Sequence, residues 1–290
     1  MVATADMLVE GIHFDLALTG WHDLGWKALA VNLSDIAAMG AVPLFAFVSL
    51  GLRPETRVEA AIDLYAGMRV LADESGCVVA GGDTVSVRSE MVLNVTVLGS
   101  VPAGESDTLL RRNRGRPGDV LAVTGTLGGS AAGLSALQHG SQSGLASPMA
   151  AQFMEVHRRP QPRLAAGVAL RRSGVRCAMD ISDGLLADLG KLCDASGCGA
   201  IVHASSLPLH PALRNVDPEQ ALAWAAAGGE DYELLFAAPA AVWRTTAIAL
   251  AAIGVPVTEI GRLTAERGVQ LLDGHHQEMH LAQTGWNHFS

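Results

Sequence analysis

Five aspartates sit among small residues: Asp6 in ATADML, Asp35 in NLSDIAAMG, Asp83 in GGDT, and Asp180 with Asp183 in MDISDG. Clusters whose only donors are oxygens favour hard cations, and magnesium takes one or two carboxylates and completes its shell with substrate phosphates and water. The pattern points to Mg²⁺ with a phosphorylated ligand. Asp35 is the sharpest case, because it falls in an otherwise apolar helical stretch with Asn32 one turn earlier on the same face. An ionised carboxylate there must be paired, hydrogen-bonded or bound to a cation, since leaving it bare costs roughly several kcal/mol. The competing reading of each aspartate is a turn residue or helix cap, the ordinary use of Asp beside Gly.

Other features carry weaker signals. The corner Gly125 to Gly133 either cradles a phosphate at a helix start or merely joins strand to helix. Four of the ten histidines, His275, His276, His280 and His288, crowd the last sixteen residues, and His276 with His280 is an i, i+4 pair without a partner motif. Trp286 reads as an aromatic anchor for the tail. The phosphate loop G-x-x-x-x-G-K-[ST], the G-x-G-x-x-G fingerprint, H-E-x-x-H, G-x-S-x-G and the kinase H-R-D set are all absent.

These residues need elements to hold them. Apolar spacing predicts helices over 23–39, stopped by Gly40, and over 55–75, closed by Gly76. Strands are expected at 77–80, 91–98 and 119–125, with Asp6 and Asp83 at strand ends. Further on come a helix from Ser130, a helix at 162–172, the strand CAMDIS and a helix over 184–195. The strand AIVHAS, the strand YELLFAA at 232–238, a helix at 240–252 and the strand TEIGRL follow. Strands and helices mix throughout, so the fold class is α+β, a mixed α/β chain. The Arg-rich stretch Arg111, Arg112, Arg114, Arg116 before Pro117 suggests two domains, 1–117 and 118–290.

A chain of 290 residues with 49% hydrophobic and 17% charged residues is globular rather than disordered. Its longest apolar stretch, 41–52, is interrupted by Pro43, Ser49 and Gly51 and is too short to span a bilayer. A net charge of −9 disfavours nucleic acid and anionic lipid. The amino terminus has no signal-peptide pattern, and Cys77, Cys177, Cys193 and Cys198 form no C-x-x-C pair, so a cytoplasmic protein with buried thiols is expected.

The stretches TADMLVEGIHFD, KALAVNLSDIAAMGA, VVAGGDT, RPGDVLAVTGTLGGSAAGL, MDISDGLLADL, GGEDYELLF and GWNHF, in this order, resemble the thiamine-monophosphate kinase family. That family shares a superfamily with aminoimidazole ribonucleotide synthetase and selenophosphate synthetase. The resemblance covers nearly the whole chain. It implies ATP-dependent phosphorylation of thiamine monophosphate to thiamine diphosphate with several Mg²⁺ ions, on a two-domain α+β architecture dimerised through the amino-terminal sheets. By motif it implies Asp6, Asp35, Asp83 and Asp180 as metal ligands, Asp183 for a further ion and Thr4 as a hydroxyl or carbonyl ligand. Tyr65, Gly82, Asp83, Arg112 and Ser182 are similar to ATP-contacting positions; His13, Glu230 or Asp231, and Trp286 are similar to substrate-contacting ones. Relatives carry an upstream G-D-D segment with another ligand, so a chain starting at Met1 is expected to have a truncated first strand. Where they read T-T-D or S-T-D, this chain has Thr4, Ala5, Asp6 and lacks one hydroxyl.

The reaction fits these residue types. A phosphate monoester acceptor is already ionised, with a second pKa near ~6, so no general base or covalent nucleophile is expected. The difficulty is bringing two polyanions together, which cations held by carboxylates and a charge-assisted contact from Arg112 would solve. The thiazolium of the acceptor suits the ring face of Trp286, and its aminopyrimidine suits Glu230 or Asp231. Two alternatives are a sibling ATP-dependent synthetase on the same scaffold and an inactive, truncated nucleotide-binding dimer.

Overall fold

The structure, a computed structural model, describes residues 1–287, the side chains of Ser141 and Ser147 aside. The first half comprises β1 (Val2–Val9), α1 (Trp21–Ala38), β2 (Val42–Leu52), α2 (Val58–Ser75), β3 (Val78–Ser86) and β4 (Val92–Ser100). The second comprises β5 (Val120–Thr124), α3 (Gly129–His139), α4 (Ser147–Arg158), α5 (Leu164–Arg172), β6 (Cys177–Asp180), α6 (Leu185–Ser196) and β7 (Gly199–His203). It continues through α7 (Pro218–Ala227), β8 (Leu234–Ala238), α8 (Ala240–Ala252), β9 (Val257–Thr264), β10 (Gly268–Leu272) and β11 (Glu278–Met279).

The first sheet has strand order β1-β4-β2-β3, with only β2 and β3 parallel. One face lies under α1 and α2, burying Leu8, Val48, Leu50, Leu93, Val95 and Val97 with Leu29, Leu33, Leu64 and Met68. The two helices cross at glycines. A Cβ on Gly25 would stand 1.8 Å from the Leu64 carbonyl oxygen, and one on Gly67 1.8 Å from that of His22. The other face carries Met7, Phe45, Phe47, Val78 and Val85, all exposed.

The second sheet runs β11-β10-β7-β9-β5-β8-β6. Its interior strands β5 and β8 are buried at every residue, because α6 covers one face and α5 with α8 the other. This explains why VLAVT and LLFAA are continuous apolar runs rather than alternating ones. The end of α1 joins this second core through Ala37 and Ala38. Gly167 of α5 lets it approach, since a Cβ there would lie 2.0 Å from the Ala37 oxygen. α1 is thus packed into both sheets.

Several expectations need correction. Asp6 and Asp83 are not at strand ends: Asp6 lies within β1, and β3 continues through Gly81, Gly82 and Asp83 to Ser86. Gly82 allows this, because its Cα faces the Val48 carbonyl so closely that a Cβ would sit 1.8 Å from it. β2 occupies the apolar stretch 41–52, where outward Phe45 and Phe47 mask the alternation of buried Ala46, Val48 and Leu50. β8 begins at Leu234, not residue 232, because Glu230 and Tyr232 adopt left-handed φ of 66° and 49°. α4 and α7 are additional helices; α7 starts where Asp217 accepts from the Gln220 N–H at 3.1 Å. His276 and His280 flank β11 in a hairpin rather than sharing a helix turn, and His276 instead stacks edge-on with His203 at 5.9 Å. His288 lies outside the described residues.

Candidate functional site

One face of α1 organises the site. Lys27, Val31 and Asp35, spaced i, i+4, i+8, line a cleft of about 900 Å³ between the two halves of the chain, with the acidic end roughly 12 Å from the basic end along the helix. At the acidic end, Thr4 Oγ1 donates to Asp35 Oδ2 and the Asp6 N–H donates to Asn32 Oδ1 at 3.2 Å. Ser34 Oγ donates to Asp180 Oδ2 at 2.6 Å. α1 thereby ties β1 to the end of β6 and brings Asp6, Asp35 and Asp180 to one wall. Burial, and then the neighbouring Asp35, push the Asp6 carboxyl up to about 6. Burial is also the main cause that raises Asp180, which the Asp35 charge raises further. Burial raises Asp35 as well, against the pull of Thr4 and of the Arg112 charge.

The strand-to-helix corner after β6 presents Ser182 and Asp183 to the same cleft. Its shape is set by Asp188, fully buried, whose Oδ2 accepts the N–H groups of Ser182, Asp183 and Gly184 at 2.9, 2.9 and 3.2 Å. Lys191 donates to Asp188 Oδ1 at 2.7 Å and also pairs with Asp183. The tail closes over this corner: the Trp286 N–H donates to the Asp183 carbonyl at 2.9 Å, and the indole, 55% exposed, lines the cleft.

At the basic end, Glu230 projects into the cleft from its left-handed backbone, which the Ser182 carbonyl fixes by accepting the Glu230 N–H at 2.8 Å. Lys27, almost fully buried, contacts the Glu230 carboxylate at 2.9 Å and His157 Nε2 at 3.4 Å. His157 Nδ1 lies 2.9 Å from Ser130 Oγ and 3.3 Å from Glu230 Oε2. Burial pulls the His157 pKa down to about 4, so its ring is neutral at pH 7. Burial raises Glu230, but the charge and hydrogen bond of Lys27 outweigh it and keep the carboxyl ionised below its usual range. His13 lines the cleft with Nδ1 occupied by the Val9 N–H at 3.0 Å.

The structure separates the two candidates Glu230 and Asp231. Asp231 turns away from the cleft and accepts from Gly128 N at 2.7 Å and Ser130 N at 3.2 Å. It occupies the start of α3, where the Gly128 and Ser130 N–H groups already donate to its carboxylate rather than to a phosphate. Burial pushes the Asp231 carboxyl up to about 7, opposed by these two N–H groups.

Tyr65, Gly82 and Asp83 stand apart from the cleft and line a separate hollow of about 400 Å³. The register explains why. Asp83 shares a row with Ser49, Asn94 and Met7 on the exposed face, whereas Asp6 shares one with Val95 and Val48 on the covered face. Three strand spacings, roughly 14 Å, separate β1 from β3. Arg112 is exposed beside neither hollow, although its charge reaches Asp35.

Residue patterns did not point to Lys27, Ser130, His157, Asp188 or Lys191. Only Lys27 carried a usable signal, a cation in the same apolar helix as Asp35.

The chain also matches known proteins. The family profile of AIR synthase related protein, N-terminal domain, matches residues 1–101, and that of the C-terminal domain matches residues 116–274. Thiamine-monophosphate kinase of Escherichia coli strain K12 is 41% identical over 294 aligned residues, covering 100% of this chain and 87% of the relative. The chain belongs to the thiamine-monophosphate kinase family. Among solved members, thiamine-monophosphate kinase from Stenotrophomonas maltophilia K279a superposes with a TM-score of 0.84 at 38% identity, covering 93% of this chain and 84% of that one. AaThiL complexed with AMPPCP and TMP superposes with a TM-score of 0.84 at 31% identity, covering 99% and 86%. The mixed α/β architecture is thus that of thiamine-monophosphate kinases. No helix among the described residues is long and apolar enough to cross a membrane.

Proposed function

We infer that the chain transfers the γ-phosphoryl group of ATP to thiamine monophosphate, giving ADP and thiamine diphosphate. The observation that carries this reading is the polarised cleft, with crowded carboxylates at one end of α1 and a charged Lys27–Glu230 pair at the other. The AaThiL complex with AMPPCP, a nucleoside triphosphate analogue, and TMP supports the same pair of substrates.

Asp6, Asp35, Asp180 and Asp183 would hold Mg²⁺. Their donor atoms are all oxygen, and Asp6 and Asp180 are raised first by burial and then by the Asp35 charge, both of which a bound cation would offset. Magnesium takes one or two carboxylates and shares the rest of its shell with phosphate and water. When bound, Mg²⁺ neutralises the phosphate oxygens that otherwise repel donor and acceptor. The chain's own residues do the rest. Asp188 and Ser34 fix the carboxylate-bearing corner, Arg112 contributes a positive charge felt at Asp35 from outside the cleft, and Ser182 presents a hydroxyl to the cleft. Trp286 covers the thiazolium with its ring face for about 0.5–2 kcal/mol, and Glu230 accepts from the aminopyrimidine. The acceptor phosphate needs no base.

The same geometry supports a homodimer. Phe45, Phe47, Val78 and Val85 leave one face of the first sheet apolar and exposed, a surface that favours burial against a second copy. Asp83 lies on that face and outside its own chain's cleft, which supports a reading in which it serves the site of a second copy.

The test is turnover of γ-labelled ATP with Mg²⁺ against thiamine monophosphate, unphosphorylated thiamine and a synthetase-type amide acceptor. Label in thiamine diphosphate alone is expected. Label transferred to the amide acceptor and not to thiamine monophosphate would replace this reading by a synthetase.

A further inference from the structure

Lys27 is a buried cation whose hydrogen-bonding partners are the Glu230 carboxylate at 2.9 Å and His157 Nε2 at 3.4 Å. Because His157 is neutral, the Lys27 ammonium donates to Nε2 and leaves the ring proton on Nδ1, facing Ser130 Oγ and Glu230 Oε2. Lys27 and the His157 Nδ1–H therefore both point at Glu230, and the carboxylate itself offers the cleft only acceptor lone pairs. The left-handed backbone of Glu230, anchored on the Ser182 carbonyl, holds it at that position.

We propose that Lys27, with His157, is a positioning residue that makes this wall specific for a ring amino group and against a ring oxo group. The proposal rests on thiamine monophosphate being the acceptor. An amino group donates to the carboxylate, whereas an oxo group in its place sets two acceptors face to face with no donor between them. Without Lys27 the Glu230 carboxyl, still largely enclosed, takes up a proton and becomes a donor as well as an acceptor, so it tolerates both rings. Neither Lys27 nor His157 touches the transferred phosphoryl; they act through Glu230.

The experiment compares thiamine monophosphate with oxythiamine monophosphate, its analogue bearing oxygen in place of the pyrimidine amino group, by calorimetric titration and by KM. Wild type should prefer the amino compound at least tenfold. Lys27→Met should reduce the preference to about twofold or less and raise the KM for thiamine monophosphate about tenfold, with the KM for ATP within about twofold. The double variant Lys27→Met/Glu230→Gln, which removes both charges, should show the same loss and no more, and it carries the test should the single variant not fold. A Lys27→Met enzyme that keeps the tenfold preference, or that weakens both analogues and ATP alike, overturns the proposal. A wild-type protein that binds neither ring compound overturns instead the assignment of the acceptor, and the proposal falls with it.

Discussion

Burial and the adjacent Asp35 charge hold the Asp180 carboxyl above its ordinary range. The folded state therefore binds a proton more tightly than the unfolded chain, and the stability this contributes is complete below the unfolded pKa and lost as pH rises through the folded one. Asp180→Asn removes the carboxylate and keeps its shape. Without ligands the variant should melt a few degrees higher than wild type at pH 8, and the gap should close on acidification to about pH 4. Turnover should nevertheless fall by at least about 100-fold, as for Asp35→Asn, because a proposed cation ligand is lost. An Asp180→Asn protein that melts earlier yet stays active would make Asp180 a structural residue. Asp231 is raised by burial as well but accepts the N–H groups of Gly128 and Ser130 at the start of α3, so Asp231→Ala leaves them without this acceptor and should cost about 1–2 kcal/mol by urea unfolding. Asp35 was legible in the sequence because a carboxylate in an apolar helix demands a partner. The same argument applies to Lys27, but its partner lies 203 positions away, a distance no local pattern encodes. Glu230 and Asp231 were indistinguishable because only the fold decides which one turns inward.

At the scale of elements, α1 determines where the chemistry sits, since it packs through Gly25 on α2 and through Ala37 on Gly167 of α5. A methyl group at Gly67 would meet the His22 carbonyl at 1.8 Å. Gly67→Ala should therefore push the helices apart, destabilise by at least about 1–3 kcal/mol, and weaken activity by shifting Asp35 relative to Asp180. Equal melting temperatures and equal kcat/KM would show that the crossing has slack. The apolar spacing of α1, α2 and α6 and the buried runs of β5 and β8 were readable, because packing there follows local period. β2 was not, since its outward Phe45 and Phe47 are apolar as well. Nor was the start of β8, where Glu230 and Tyr232 take a backbone conformation that their residue types rarely adopt.

For the whole molecule, the exposed Phe45 and Phe47 and the position of Asp83 on the same face lead to two expectations. Phe47→Asp should convert the proposed dimer to monomers in sedimentation and lower activity. Co-expressed Asp35→Asn and Asp83→Asn chains, each inactive alone, should recover up to about a quarter of wild-type turnover, because half of the random dimers carry one intact composite site. No recovery in isolated mixed dimers would confine each site to one chain and remove Asp83 from it. The outer face itself was legible only as a strip of hydrophobicity, because a sequence does not say which face a helix will cover.

The central claim is direct transfer between two substrates held in one cleft, with no phosphorylated residue between them. It is tested most directly with ATP made chiral at the γ-phosphorus by sulfur and oxygen isotopes, turned over on thiamine monophosphate with Mg²⁺. A single in-line displacement predicts thiamine diphosphate with inverted configuration at the transferred phosphorus. Retention, which requires two displacements and a covalent phosphoenzyme, would contradict the account.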